Sequence, residues 1–153
     1  MPNQVIWWED FRVGDSSEMG RHTFTEEEIL AFGRQFDPQT FHADSAAAQD
    51  SVFGGLIASG WHTCAVGMRL MVESYLQKTV SLGSPGVDTI RWLKPVRPGD
   101  TLAYRRTVLE SRASAKRKGV GLVKHRWEAM NQAGELVLTM EGWGMFGRKP
   151  GAG

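Results

Sequence analysis

The sequence predicts an α+β fold, an antiparallel sheet wrapped around one long helix, on three observations. No charged residue falls between Asp50 and Arg69, and Gly54-Gly55 introduces that stretch, so it reads as a helix enclosed by other structure. Beyond about Val87 the apolar pattern switches to period two, in four runs parted by turn residues. One more such run, Ser17 to Phe24, stands ahead of the first helical pattern.

A chain of 153 residues can bury one real hydrophobic core; residues 1–148 read as a single domain and 149–153 as a loose tail. Hydrophobic residues at 41% and charged residues at 23% are ordinary globular values. A net charge of +1 excludes the basic surplus of a nucleic-acid binder. The lone Cys64 has no internal disulfide partner, which points to a reducing compartment. Val5-Ile6-Trp7-Trp8 is followed by Glu9-Asp10 and not by a cleavage site, so no leader is expected. Ser51 to Met68 carries Gly54, Gly55, Gly60, His62 and several hydroxyls, which suits a buried helix and not a membrane span. A soluble cytoplasmic protein with no membrane or nucleic-acid partner is expected.

Val5 to Asp15 reads as an opening strand or turn. Thr25 then starts a capping box: its hydroxyl accepts from the amide three residues on while Glu28 reaches back. Glu26, Glu27 and Glu28 suit the positive end of the helix dipole. This helix must stop by Phe36, because Asp37 precedes Pro38 and is pushed out of the α region. Asp37 to Phe41 is therefore expected to be extended or turned, with His42 at its end. Asp44 or Ser45 caps a small helix through Ala46-Ala47-Ala48. The long helix is expected from about 57–60 to about 75–77. Strands near Val87–Leu93, Thr101–Arg112, Val120–Met130 and Glu135–Phe146 then form a four-stranded meander, with Pro95, Pro98 and Gly99-Asp100 turning the first into the second. Gly142, Gly144 and Gly147 mark bulges or a tight bend in the last strand.

Asp37 and His42 stand five residues apart, outside regular helix and just ahead of the buried helix. An acid/base pair beside unpaired helix amides is what chemistry at an acyl carbonyl needs. His62 is an alternative base, but its charge-free setting suits a core histidine bonded to backbone. His22 and His125 lie in strands and take no catalytic part. Cys64 reads as a small buried hydrophobe with nothing basic beside it. No His/Cys cluster has ligand spacing, so no metal is expected. The glycines at 54, 55 and 60 lack the Lys-Ser/Thr ending of a phosphate loop. Lys116-Arg117-Lys118 suits a solvated hairpin turn better than a phosphate contact.

Three motifs in this order, F-D-P-Q-T-F-H-A-D, F-G-G-L-I-A-S-G and L-K-P-V-R-P-G-D, resemble the MaoC-like dehydratases, relatives of the (R)-specific enoyl-CoA hydratases. The resemblance runs from about Phe11 to Phe146 and implies a hot-dog fold. It implies that Asp37 and His42 are the catalytic pair, holding one water between them, and that the Gly60 amide faces the thioester carbonyl. In that reading Asp37 fixes the water and helps deliver a proton to the α-carbon. Two positions depart from the family: Gln39-Thr40 stand where Asn-Pro is usual, and Ser59 stands where His is usual. Ser59, Trp61, Phe41, Arg91 and Lys94 are the implied substrate contacts, with Arg97 beside them and Phe36, Met68 and Met71 as further pocket candidates. The implied reaction is reversible hydration of a trans-2-enoyl-CoA to an (R)-3-hydroxyacyl-CoA. It needs no cofactor; coenzyme A enters with the acyl substrate. A homodimer is implied as well. Thioester hydrolysis, which leaves His42 without a role, and a non-catalytic acyl-CoA-binding subunit are the alternatives.

Overall fold

The computed structural model describes residues 4–152. After a 3-10 turn at Trp8–Asp10 come β1 (Ser16–Thr23), α1 (Glu26–Phe36), the one-turn helices α2 (Thr40–Ala43) and α3 (Ser45–Ala48), and α4 (Gly60–Ser74). A second 3-10 turn at Leu76–Lys78 leads to β2 (Gly86–Trp92), β3 (Thr101–Ala113), β4 (Val120–Met130) and β5 (Leu136–Gly147). One five-stranded antiparallel sheet runs in the order β1-β3-β4-β5-β2 and curls around α4, the hot-dog arrangement.

The four-stranded meander is corrected by this order. Only β3, β4 and β5 follow one another; β2 crosses to the far edge and pairs with β5. The prolines that suggested a hairpin act differently. The 93–100 segment becomes a clasp: Val96 C=O accepts from Ala58 N (2.8 Å), Phe24 C=O accepts from Gly99 N (2.7 Å), and Asp100 C=O accepts from Phe24 N (2.9 Å). Gly99 at φ +90° takes a left-handed conformation that other residues resist. The clasp therefore ties the start of α1 to the approach of α4.

The terminal parts of the helices follow the sequence closely. Thr25 Oγ1 accepts from Glu28 N at 3.2 Å, and Asp44 accepts from Ala46 N and Ala47 N at 3.0 Å each, so Asp44 caps α3. Along α4 the buried side is His62, Thr63, Val66, Gly67, Leu70 and Met71. It meets Met19, Leu102, Tyr104, Val108 and Val123 of the sheet. Each large apolar side chain buried there contributes roughly 1.5–3 kcal/mol. Gly67 lets α4 approach: a Cβ would sit 3.1 Å from the Tyr104 ring, whose hydroxyl donates to Thr63 C=O at 2.7 Å.

Smaller expectations change too. The Val5–Asp15 segment contributes only a single bridge, Ile6 with Thr79, besides its 3-10 turn. The glycines of β5 mark no bulge in it: its extra residue against β4 is Val137, and opposite Gly142 the register shift lies on β2 between Val87 and Thr89. In the expected tail, Lys149 N donates to Glu9 at 3.0 Å; Gly153 lies outside the described residues. No helix among the described residues is long and apolar enough to cross a membrane.

His125 sits in the core on β4, only 1% exposed, and Arg106 Nη1 donates to its Nε2 at 3.3 Å. Burial first, and the Arg106 charge second, push its pKa down to about 3. The folded state therefore holds it neutral, while the unfolded chain takes up a proton near ~6.5. Its contribution to stability is complete above about pH 6.5 and is lost as pH falls toward 3. One such proton changes stability by up to ~1.4 kcal/mol per pH unit. In thermal denaturation across this window, His125→Gln should show a flatter acid decline than wild type; an unchanged slope would show that His125 is not the group titrating.

Candidate active site

The site is built where α1 stops. Asp37, at φ −146° and ψ 73°, is non-helical as Pro38 requires. The chain then re-enters helix sooner than expected, because nothing after Pro38 forbids it: His42 N donates to Gln39 C=O at 2.9 Å, and His42 rides on the single turn of α2. The expected extended segment thus shrinks to 37–39. Two residues of α1 hold α2. Gly33 of α1 packs against it so closely that a Cβ there would fall 2.2 Å from the His42 carbonyl oxygen. Arg34 Nε donates to Ala43 C=O at 3.1 Å.

The orientation of His42 is set from the other side. Its Nδ1–H donates to the Ile57 carbonyl at 2.7 Å, and Ile57 N donates back to Phe41 C=O at 3.0 Å. When the ring is neutral this puts the lone pair on Nε2, 3.3 Å from Asp37 Oδ2. Two acceptors that close need a proton or a donor between them.

Asp37 is held by two of the residues that depart from the family. Ser59 Oγ donates to Oδ2 at 2.7 Å and Gln39 Nε2 donates to Oδ1 at 2.9 Å. Burial alone pushes the carboxyl up, but the bonds from Gln39 and Ser59 and the charge of His42 together hold it below the ordinary carboxylate range. It stays ionised near neutral pH.

Ser59 also caps α4. Its Oγ accepts from Trp61 N (3.3 Å), and its carbonyl accepts from His62 N (3.0 Å) and Thr63 N (3.2 Å). The Gly60 amide, first in the helix, has no intrahelical acceptor and carries the positive end of the dipole. Above Gly60 lies the Trp92 indole: a Cβ at Gly60 would meet that ring at 2.4 Å.

Asp37, Gln39, Phe41, His42, Gly60, Trp61, Trp92 and Lys94 line one cleft of about 500 Å³. Phe41 sets its ring edge-on to His42 at 4.6 Å. Lys94 is paired with Glu135. Ser59 acts behind the cleft through Asp37. Arg91 lies exposed on β2 beyond the cleft lining, and Arg97 donates to Phe53 C=O at 2.6 Å. Phe36 is exposed, while Met68 and Met71 line a second cavity. His62 is buried as expected, yet not bonded to backbone: it stacks on Phe32, Nε2 stands 3.5 Å from Glu28, and Nδ1 has no partner. Cys64 is half-buried, and burial raises its thiol, offset in part by a hydrogen bond from Trp92.

Two site residues escaped the sequence reading. Gln39 was noted only as a departure, although an amide two residues after an Asp is placed to bond its carboxylate. Trp92 carried no local signal, since its contact with Gly60 joins residues 32 positions apart.

The family model described as a MaoC like domain matches residues 12–128. The crystal structure of the MaoC-like dehydratase from Rhodospirillum rubrum is similar over 95% of this chain and 99% of that chain, at a TM-score of 0.84 and 40% identity. The R-hydratase PhaJ1 from Pseudomonas aeruginosa, in unliganded form, matches over 95% of this chain and 88% of that one, at a TM-score of 0.76 and 25% identity. Protein MaoC of Klebsiella aerogenes is 28% identical over 126 residues, 79% of this chain; the chain spans 37% of that protein's length.

The tight contact at Gly33 makes a test of how the dyad is supported. Gly33→Ala should force α2 away from α1, costing ~1–3 kcal/mol as overpacked sites do. Because the displaced atom is the His42 carbonyl, activity should fall further than stability. Thermal midpoint and turnover measured together check this; a variant with normal turnover would show that α2 tolerates the shift.

Proposed function

Because the chain belongs to the MaoC-like domain family, we propose that it catalyses the reversible hydration of a trans-2-enoyl-CoA to an (R)-3-hydroxyacyl-CoA. The observation that carries this reading is the Nε2 of His42, presented to Asp37 Oδ2 at 3.3 Å in the cleft that the Gly60 amide also lines. Asp37, ionised, accepts one hydrogen of a water and orients it. His42 Nε2 accepts the other as the water oxygen bonds to the β-carbon of the enoyl group. Electron density moves to the thioester oxygen, where the Gly60 amide stabilises it without reorganising. The imidazolium of His42 then returns its proton to the α-carbon on the same face, and the sum is one water added. A carboxyl held below its ordinary range is a poor proton donor, so His42 takes both transfers and Asp37 the positioning. Lys94, Phe41 and Trp61 contact the substrate in this scheme, and coenzyme A arrives as part of it.

A homodimer is part of the proposal. β2 is an edge strand, exposed at every residue but Ile90, and an open edge invites pairing. Joining two sheets would place the acyl-CoA channel at their interface. Light scattering at catalytic concentrations should give a dimer; a monomer that remains active would overturn this part. A single half-buried Cys64 suits a reducing cytoplasm as the place of action.

Asp37→Asn and His42→Ala should each lower kcat for enoyl-CoA hydration by at least ~10²-fold. Acting on one water as a unit, they should be non-additive, with the double variant little worse than either single. Loss of enoyl absorbance without thiol release identifies hydration; thiol release would identify hydrolysis, and binding with neither would identify a scaffold. Near-wild-type rates in either single variant would end the hydratase reading.

A further inference from the structure

A second cavity, of about 490 Å³, runs along α4 between the helix and strands β2, β4 and β5. Met68, Met71, Ile90, Trp127 and Met140 give it apolar walls, unlike the cleft that holds Asp37 and His42. Trp61 is the one described residue that lines both spaces.

The boundary between them is built from two indoles. Trp61 meets Trp92 edge-to-face, with ring centroids 5.2 Å apart and planes at 76°. Trp92 is pinned on two further sides: its ring lies against Gly60, and it hydrogen-bonds to Cys64, which lines the apolar chamber. Edge-to-face packing favours such a pair beyond its burial, so the partition holds its place. Both rings remain open to solvent, Trp61 at 57% and Trp92 at 46%, so a ligand entering the cleft can reach them.

We propose that Trp61 and Trp92 set the length of acyl chain the site accepts: the partition confines the acyl group to the cleft, and the wild-type protein is selective for short chains. This rests on the reading of the cleft as an acyl thioester site. An acyl tail extending past Gly60 meets the indole pair before it reaches the chamber. Truncating Trp61 joins the two spaces and supplies an apolar bed in which each added methylene strengthens binding. Trp61 is exposed and outside the core, so its removal leaves the packing of α4 intact.

The experiment compares wild type, Trp61→Ala, Trp92→Ala and the double variant Trp61→Ala/Met68→Trp, which refills the chamber. Hydration is followed for crotonyl-CoA and trans-2-decenoyl-CoA, and binding of the inert butyryl-CoA and decanoyl-CoA is followed by calorimetry. The ratio of kcat/KM for decenoyl to crotonyl substrate should rise at least ~10-fold in Trp61→Ala, and the binding ratio should rise with it. Met68→Trp should bring both ratios back toward wild type. Equal handling of long and short chains by the wild type, or ratios unmoved by Trp61→Ala, would overturn the partition. Chain-length selectivity that shifts in binding while no variant hydrates anything would leave the partition standing and remove the hydratase reading. Failure of every acyl-CoA to bind would overturn both.

Discussion

One hydroxyl joins the Asp37–His42 pair to the fold. Ser59 Oγ donates to Asp37 at 2.7 Å while accepting from the Trp61 amide, and the residue is 1% exposed. The same atom therefore caps α4 and orients the carboxylate, so the helix cannot move along its axis without disturbing the site. A capping interaction stabilises a helix by roughly 1 kcal/mol. Here it also assigns the next three amides to Ser59 and leaves that of Gly60 without an intrahelical acceptor.

Around that point the fold is arranged as a set of short ties between segments far apart in sequence. The clasp after β2 holds Ala58 and Phe24; Ile57 holds His42; Gly33 and Arg34 hold α2 from the side of α1. None of these is strong alone, since a buried hydrogen bond contributes roughly 0.5–1.5 kcal/mol net. Together they leave the dyad with little freedom. The proposed reaction depends on that rigidity of the two groups, 3.3 Å apart, because reacting atoms displaced by ~1 Å lose much of the benefit of proximity.

Behind α4 lies a polar cluster with no part in the proposed reaction. His22 bonds Glu28 at 2.5 Å, Arg69 donates to His22 at 3.1 Å, and His62 faces the same carboxylate. It fastens β1, α1 and α4 together by hydrogen bonds beside the Phe24 and Phe32 rings that pack on His62. Glu28, expected to complete a capping box, is drawn to His22; its bond to Thr25 is the longer one, at 3.4 Å.

What was legible in the amino-acid sequence was whatever local chemistry dictates. Thr25 and Asp44 announce helix starts, Pro38 ends α1, and the period-two runs mark the last four strands within a few residues. The Asp37–His42 spacing was readable because both residues sit within one turn-containing stretch. Tertiary structure alone decided three things. It placed β2 at the far edge, because strand partners are chosen by which faces bury together and not by order in the chain. It made Ser59 and Gln39, read as departures, the donors that keep Asp37 ionised. It also set Trp92 over Gly60, a contact that no pattern in sequence encodes, since an indole and a bare backbone meet there only once the sheet has closed around α4.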